Sequence, residues 1–349
     1  MIIFQMETKE AFQVKTYQGK RRKIIIITSL LLTIVLLFTI INVIPPSKVI
    51  KTNPFISTKG LPMACVHRGG GVTAPENTLK AYKTSLSLYD AEIFETDLWL
   101  TKDGKIVLNH DETINRTSDC LELGYTGEVK ISDLTLEELQ NFNFGYNFQD
   151  DEGNYPYRNL VDKDTSNRKE IIRENDLSIV EINDFFKTFY DENPNLLFIV
   201  EIKNSGDAGY KVADMLYELL TNKYPLYKNR IVIGTFHNEI EKYLRTSHPS
   251  LLRGASTNVA TKFILTQMFK VNLFDNDKFA CLQIPPKLKG IDLTWDTYIS
   301  RAHKRNIAVQ YWTINDEAEM KKLISKNVDA IMTDNPKLLK QVLDEYRNK

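Results

Sequence analysis

Eight short apolar runs recur along residues 64–334, and amphipathic stretches separate most of them. Strands that alternate with helices in this way form a parallel sheet covered by helices. The number of strands decides between an open sheet and a closed barrel, and eight is the number of a (β/α)₈ barrel. The sequence therefore predicts an α/β protein with a TIM barrel, whose strands lie at about residues 64–68, 92–98, 196–202, 230–236, 251–257, 279–285, 307–313 and 329–334.

One further apolar run is expected to form a hairpin and not a ninth barrel strand. The stretch TDLWLTKDGKIVLNHD contains Asp103-Gly104, which favours a two-residue type I′ turn between antiparallel strands. A hairpin folded about this turn pairs residues whose numbers sum to 207, so we expect Asp97 to lie opposite His110. Residues 112–195 then interrupt the alternation, which predicts an insertion of roughly 80 residues after the second strand.

The chain begins with a basic segment and a long apolar run. Residues 1–23 carry six basic and two acidic side chains, a net charge of +4 in a chain whose formal charge is zero. Residues 24–44 contain no charge, glycine or proline, and about 20 such residues span the hydrocarbon core of a bilayer as a helix. A cleaved signal peptide is the closest alternative, but the run is long for one and no A-x-A-like cleavage site follows it.

These features predict the organisation of the whole chain. A basic cluster on the N-terminal side of a membrane span keeps that side in the cytoplasm. We therefore expect a single-pass protein of the cell membrane, with a cytoplasmic tail (residues 1–23), a transmembrane helix (24–44), a linker (45–61) and an extracellular barrel (62–345). The zero net charge gives no support for nucleic-acid binding, and three cysteines are too few for a disulfide framework.

Polar side chains cluster at the predicted carboxyl ends of the strands, where barrel enzymes carry their chemistry. Glu95 and Asp97 are two apart on the second strand and so share a face, and Glu201 shares a face with Lys203 on the third. Three carboxylates on neighbouring strands would repel one another unless a cation held them, and oxygen ligands alone favour Ca²⁺ or Mg²⁺ over zinc. The other polar residues of this rim are His67, Arg68, His110, Trp312, Asn315 and Asp334.

The order of these residues resembles that of the glycerophosphodiester phosphodiesterases. Their pattern runs H-R-G…P-E-N-T, E-x-D, T-x-D-G…H-D, E-I-K, W-T-x-N and T-D-x-P, and this chain reads HRGGGVTAPENT, ETD, TKDG…NHD, EIK, WTIN and TDNP. The likeness extends from about residue 63 to residue 343 and includes the six motifs in this order. The resemblance implies a hydrolase of lipid metabolism that cleaves glycerophosphodiesters to glycerol 3-phosphate and an alcohol.

The resemblance also implies roles for individual residues. Glu95, Asp97 and Glu201 would bind one divalent cation, Ca²⁺ or Mg²⁺. His67 and His110 would be the acid–base pair, with His67 preferred as base and His110 as acid, and histidine suits both roles because its reference pKa is about 6.5. The other implied site residues are Arg68 and Lys203 at the phosphate, Trp312 at the glycerol moiety and Glu76 beside the metal ligands.

Several alternatives stay open. The same chemistry could act on lysophospholipids or on a polyglycerolphosphate polymer, and the predicted tether favours this variant because it holds the site near lipid. A catalytically silent binding module is less favoured, because such a protein should have lost a histidine or a metal carboxylate, and none is missing. The attacking group could be water or the glycerol 2-hydroxyl. His237 lies on the same rim, whereas His248 and His303 are expected at the surface.

Overall fold

The computed structural model describes residues 2–43, 50–190, 193–269 and 277–347. The chain forms two compact units, Met1–Ser47 with Leu265–Asn276 and Lys48–Ile264 with Asp277–Lys349. Its α-helices are α1 (Ile2–Val43), α2 (Leu79–Tyr89), α3 (Leu136–Leu139), α4 (Arg168–Glu174), α5 (Ile182–Phe189), α6 (Gly206–Glu218), α7 (Asn238–Ser247), α8 (Thr257–Met268), α9 (Asp296–Lys304), α10 (Glu317–Ser325) and α11 (Pro336–Arg347). Its strands are β1 (Met63–Val66), β2 (Ile93–Leu100), β3 (Ile106–Leu108), β4 (Leu197–Ile202), β5 (Ile231–Gly234), β6 (Leu252–Arg253), β7 (Cys281–Ile284), β8 (Lys287–Leu288), β9 (Ile291–Asp292), β10 (Ala308–Tyr311) and β11 (Ala330–Thr333).

Eight of these strands form a nearly closed parallel barrel in the second unit. They lie in the order β6-β5-β4-β2-β1-β11-β10-β7, and a parallel bridge between Gly254 and Cys281 joins the two ends of that order. Each barrel strand overlaps one of the eight predicted apolar runs, so the predicted (β/α)₈ fold is confirmed. Because all eight strands run in the same direction, their carboxyl ends meet at one end of the barrel.

The hairpin is present, but its predicted register is wrong by one residue. β3 pairs antiparallel to β2 with Leu98 opposite Leu108, so the paired numbers sum to 206 and Asp97 faces Asn109, whose N–H donates to the Asp97 carbonyl over 3.0 Å. The loop has three residues and only its last, Gly104, has a positive φ, whereas a type I′ turn requires a positive φ at two residues. His110 therefore lies one position beyond the residue opposite Asp97.

The long helix α1 contains residues 24–43 of the predicted membrane span. Residues Lys15–Ile40 are long and apolar enough to cross a membrane, with a mean hydropathy of 2.6, and their side chains are exposed. The hydroxyls of Thr28, Thr33 and Thr39 donate to backbone carbonyls four residues earlier, which satisfies these polar groups within the helix. Ile44 and the first linker residues, 45–49, lie outside the described residues.

The second half of the predicted linker packs onto the barrel. Asn53 is buried, and its Nδ2 donates to the carbonyls of Ala280 and Asn306 over 2.8 and 2.9 Å. Phe55 is fully buried among the interior residues of the strands, which include Met63. These contacts lie at the amino ends of the strands and close that end of the barrel. The domain boundary at residue 62 stays a prediction, although packing against the barrel already begins before it.

The insertion between β3 and β4 packs in two places. Its last helix, α5, places three phenylalanines against the outer side of the barrel strands, where their rings contact those of Tyr82, Phe94 and Phe198. The rest of the insertion has a small core of its own, to which Ile114, Phe142 and other apolar side chains belong. A capping box between Thr135 and Glu138 starts α3. The insertion is thus fixed to the barrel wall.

Candidate active site

The segment after β1 turns sharply and carries the first two site residues. Arg68, Gly69 and Gly70 all have positive φ, at 52°, 83° and 93°. A Cβ on Gly69 would lie 2.7 Å from the Cβ of Ala81, and one on Gly70 would lie equally close to a ring carbon of Pro336. Only glycine fits these two positions, and the tight turn places His67 and Arg68 over the carboxyl ends of the strands.

His67 is held by a carboxylate that directly follows the last barrel strand. Its Nδ1 lies 2.6 Å from Asp334 Oδ1, and its Nε2 lies 3.9 Å from Glu95 Oε2. A carboxylate at Nδ1 keeps the proton on that nitrogen and leaves Nε2 as the acceptor that faces the site. Burial lowers the pKa of His67, but the Asp334 hydrogen bond and the Glu95 charge outweigh it, so the pKa lies above its ordinary value.

His110 has a similar partner, which is itself held by an arginine. His110 Nδ1 lies 2.7 Å from Asp111 Oδ1, and the other Asp111 oxygen accepts from Arg116 Nε over 2.6 Å. The two terminal nitrogens of Arg116 donate to the two oxygens of Glu76 over 2.8 and 2.7 Å. Burial lowers the pKa of His110, and the charges of Arg68 and Lys203 also lower it. Arg116 thus ties His110 to the loop after β1 through two carboxylates.

The three predicted metal ligands lie together. One carboxylate oxygen from each of Glu95, Asp97 and Glu201 lies within 4.8 Å of the other two. Glu95 and Asp97 are 3% and 1% exposed, so the two charges are shielded from water. Burial and the Asp97 charge raise the pKa of Glu95 to about 8, and burial also raises the pKa of Glu201. A cluster of this kind is stable only with compensating positive charge.

The donor set of this cluster fits a divalent cation. All its donors are carboxylate oxygens, which hard cations such as Ca²⁺ and Mg²⁺ prefer. Glu201 Oε1 is buried and lies 2.8 Å from Lys203 Nζ, and no second donor reaches it among the described residues. This oxygen therefore keeps its acceptor capacity. The cluster could hold a metal ion, as expected from the sequence.

Two cationic side chains border the cluster. Lys203 Nζ lies 3.0 Å from Asp97 Oδ1, and the charges of Asp97 and Glu201 outweigh burial and raise the pKa of the ammonium. Arg68 Nε lies 3.4 Å from Asp97 Oδ2, and its backbone N–H donates to Glu95 over 2.9 Å. Arg68 and Lys203 are the two groups predicted to contact phosphate, and both lie beside the predicted metal ligands.

A single cavity at the carboxyl end of the barrel collects these groups. His67, His110, Glu95, Glu201, Arg68, Lys203 and Trp312 all line it. Trp312 also packs edge-to-face against Phe236, with ring centroids 6.0 Å apart. Asp97 lies beneath, in contact with Arg68 and Lys203, and Glu76 lies behind Arg68, with 3.4 Å between their nearest nitrogen and oxygen.

The other histidines do not line this cavity. His237 Nε2 donates to the backbone carbonyl of Lys203 over 2.9 Å, so it supports the end of β4. The expectation of a surface position is wrong for His248, whereas the side chain of His303 is 25% exposed. His248 is 9% exposed and bonds Asp214, and His303 bonds the buried Asp329 near the amino ends of the strands.

The comparisons with known proteins decide the family. Residues 67–338 match the model of the glycerophosphoryl diester phosphodiesterase family. The chain belongs to this family. This match confirms the prediction from the six sequence motifs, and the chain is an enzyme of the phosphodiesterase class.

Three similar proteins agree with membership of this family. A glycerophosphodiester phosphodiesterase of Caldanaerobacter subterraneus subsp. tengcongensis is 25% identical over 277 residues, which cover 79% of this chain and 96% of that protein. A lysophospholipase D of Mus musculus is 22% identical over 304 residues, covering 80% and 81%. A solved phosphodiesterase of Oleispira antarctica, in complex with the product sn-glycerol-3-phosphate, shares the fold with a TM-score of 0.57 and 20% identity, covering 81% of this chain and 97% of that one.

This phosphodiesterase contains site residues that the sequence does not assign. The sequence places Asp334 at the rim without indicating its partner, although β1 and β11 are neighbours in any closed eight-stranded barrel. Asp111 follows His110 directly, but the motif alone gives it no role. Nothing in the local pattern points to Arg116, because the insertion brings it to the site. Phe236 ends the predicted strand 230–236, and this position at the rim is the signal that could have found it.

Proposed function

We propose that this chain is a metal-dependent phosphodiesterase that hydrolyses glycerophosphodiesters to glycerol 3-phosphate and an alcohol. One observation supports this above the others: two histidines, each with its Nδ1 on a carboxylate, line the same cavity as the three-carboxylate cluster. General acid–base catalysis needs two such groups on opposite sides of the reacting phosphorus.

The charged groups would bind and neutralise the phosphate. Arg68 and Lys203 line the cavity, so their donors can reach the non-bridging oxygens of a phosphodiester. A divalent cation held by the carboxylate cluster, with Ca²⁺ or Mg²⁺ as the candidates, would supply Lewis-acid stabilisation of the charge that develops on these oxygens. Trp312 would pack on the glycerol moiety.

The two histidines would move the protons. His67 Nε2 would take the proton from the attacking hydroxyl, of water or of the glycerol 2-position, as the new bond to phosphorus forms. His110 Nε2 would donate a proton to the alkoxide that departs as the old phosphorus–oxygen bond breaks. The side chain of His110 is 33% exposed and that of His67 is 14% exposed, which supports placing the leaving alcohol, which must escape to solvent, beside His110.

A second substrate class is supported by one comparison. The mouse relative bears the name of a lysophospholipase D, an enzyme that acts on a lipid-borne glycerophosphodiester. Lysophospholipids and polyglycerolphosphate polymers present the same phosphodiester to the cavity, so the chemistry proposed above applies to them unchanged. A silent binding module is disfavoured because every predicted catalytic residue is present.

The full chain in a neutral detergent tests the proposed reaction. We expect it to release glycerol 3-phosphate from glycerophosphocholine, to stop in EDTA and to recover with Ca²⁺ or Mg²⁺. His67→Ala and His110→Ala should each lower turnover by about 10²-fold or more, whereas His303→Gln, far from the cavity, should not. Near-normal turnover in either alanine variant would refute the acid–base assignment.

We further propose that α1 anchors the enzyme in the cell membrane, with residues 24–44 in the bilayer. The basic side chains of residues 1–23 support a cytoplasmic tail and an extracellular barrel. A protease added to intact cells should then digest the barrel and leave an epitope at residue 1 protected. Digestion of that epitope in intact cells would show that the N-terminal tail lies outside the cell and would refute the proposed topology.

A further inference from the structure

A small hairpin rises from the rim of the cavity. Strands β8 and β9 pair with each other alone among the described strands, and Lys289 and Gly290 join them with φ values of 48° and 85°. Two consecutive positive values are those of a type I′ turn. The hairpin follows the carboxyl end of β7, whose Gln283 lines the cavity, so it lies at the catalytic end of the barrel.

The base of this hairpin is fixed to the barrel. The N–H of Leu293 donates to the carbonyl of Pro286 over 2.8 Å, and the hydroxyl of Tyr311 donates to the carbonyl of Leu293 over 2.7 Å. Asp292 accepts from both the N–H and the hydroxyl of Thr294. The tip is therefore held in place, although a two-stranded hairpin alone is only marginally stable.

The tip exposes an apolar pair. Leu288 and Ile291 are direct cross-strand partners and are 50% and 48% exposed. A single exposed leucine is ordinary on a protein surface, but two adjacent aliphatic side chains at the end of a fixed projection form a small apolar patch. Phe236, which is 54% exposed, adds a third large apolar side chain to the same rim.

The apolar pair is flanked by positive charge. Lys287 and Lys289 are exposed, and neither ammonium has an ion-pair partner among the residues that the structure describes. Asp292 is the cross-strand partner of Lys287, but its carboxylate lies 3.4 Å from Lys322 and forms no ion pair with Lys287. An apolar tip with free lysines beside it complements a lipid surface that carries anionic head groups.

We propose that the tip of the β8–β9 hairpin docks on an anionic lipid surface, where Leu288 and Ile291 enter the apolar layer and the two lysines contact the head groups. This inference rests on the proposed function and narrows its substrate class to amphiphilic glycerophosphodiesters, such as lysophospholipids, that reside in such a surface. Docking brings the cavity mouth to the head-group level, where the phosphodiester lies.

The first test separates lipid-borne from soluble substrate. The full chain in neutral detergent is assayed on lysophosphatidylcholine in mixed micelles containing phosphatidylglycerol, and on glycerophosphocholine in solution. Leu288→Ser combined with Ile291→Ser should lower the micellar rate about tenfold and leave the soluble rate unchanged. Leu226→Ser is the matched control, because Leu226 is 69% exposed and precedes β5 at the other end of the barrel.

Equal micellar rates for the parent and the double variant would overturn the proposal, as would the same loss on both substrates. The same loss in the Leu226 control would also overturn it. If the parent hydrolyses neither substrate, the proposed function fails. The docking proposal is then decided by the second test, which measures binding to vesicles without catalysis.

The second test measures docking directly. All three native cysteines are buried, so an Ile291→Cys variant of the full chain in neutral nanodiscs can be labelled at that site with an environment-sensitive fluorophore. Its emission should shift to the blue with phosphatidylglycerol vesicles and much less with phosphatidylcholine vesicles, and Lys287→Gln with Lys289→Gln should remove the difference. A response to soluble polyglycerolphosphate but not to vesicles would assign the hairpin to a polymer and refute lipid docking.

Discussion

His67 at the end of the first barrel strand and Asp334 after the last are 267 positions apart in the chain, yet His67 Nδ1 lies 2.6 Å from Asp334 Oδ1. Closure of the barrel creates this contact, because β1 and β11 pair with Val66 beside Thr333. Asn315 orients the carboxylate in turn, since its side chain donates to the second Asp334 oxygen and accepts from the Asp334 N–H. Asp334 therefore fixes both the tautomer and the ring direction of His67.

Asp334→Asn should lower kcat by about 10²-fold with little change in KM, because the imidazole loses the charge that stabilises its protonated form. The measurement is steady-state hydrolysis of glycerophosphocholine by the full chain. Asp344→Asn, which changes an acid on α11 whose side chain is 40% exposed, serves as the control and should behave as the parent. A variant at Asp334 that changed only KM would assign this carboxylate to substrate binding instead.

Arg116→Ala should lower kcat about tenfold without destroying the fold. The change removes the guanidinium that holds Asp111 and Glu76 in place, so the Asp111 carboxylate no longer orients His110 as firmly. Arg116→Lys should recover only part of the lost kcat. The positive charge is kept, but an ammonium cannot bridge two carboxylates as the guanidinium fork does. Arg347→Ala on the outer helix α11 is the control. A purely structural role for Arg116 would instead lower the unfolding midpoint and leave kcat of the folded protein unchanged.

The sequence predicted the barrel and the grouping of the candidate site residues at one end of it, because both depend on coarse features. Eight apolar runs determine the strand count, and parallel strands bring their carboxyl ends together whatever the details of the loops. Glu95, Asp97 and Glu201 could thus be placed in one cluster from strand ends and side-chain alternation alone. The strand count and the barrel fold could be predicted without knowing how the insertion folds.

The details that the sequence did not predict depend on tertiary contacts. The hairpin loop has three residues, and its Asp103 accepts hydrogen bonds from the hydroxyl of Thr101 and from the N–H of Leu136 in the insertion. The Asp-Gly pattern considers the turn residues alone and cannot include an N–H from the distant insertion. The predicted register of the hairpin is therefore wrong by one residue. The Arg116 bridge likewise depends on where the insertion folds back.

Glu95→Gln should have opposite effects on cation binding and on the stability of the chelated protein. Removing one of three carboxylates should weaken Ca²⁺ binding, measured by titration calorimetry, at least about tenfold. In EDTA the parent must either bury the Glu95 charge beside Asp97 or protonate Glu95, whose pKa lies at about 8, and both cost free energy of folding. Glutamine avoids both costs, so the thermal midpoint should rise above that of the parent. Addition of Ca²⁺ should then raise the thermal midpoint of the parent clearly and the thermal midpoint of the variant very little. Unchanged Ca²⁺ affinity would exclude Glu95 from the cation site, and Asp344→Asn should alter neither measurement.

Asn53→Ala should destabilise the barrel and leave its chemistry intact. Nδ2 of this buried amide donates to the carbonyls of Ala280 and Asn306 at the amino ends of two strands. Without Nδ2 both carbonyls lose this donor, which should lower the free energy of unfolding by about 2 kcal/mol. Denaturant unfolding of the full chain in detergent measures the change, with Asn238→Ala, exposed at the start of α7, as the control. Because the candidate active site lies at the opposite end of the strands, kcat of the folded variant should equal that of the parent. A variant as stable as the parent would show that residues 50–56 tether the barrel without closing it.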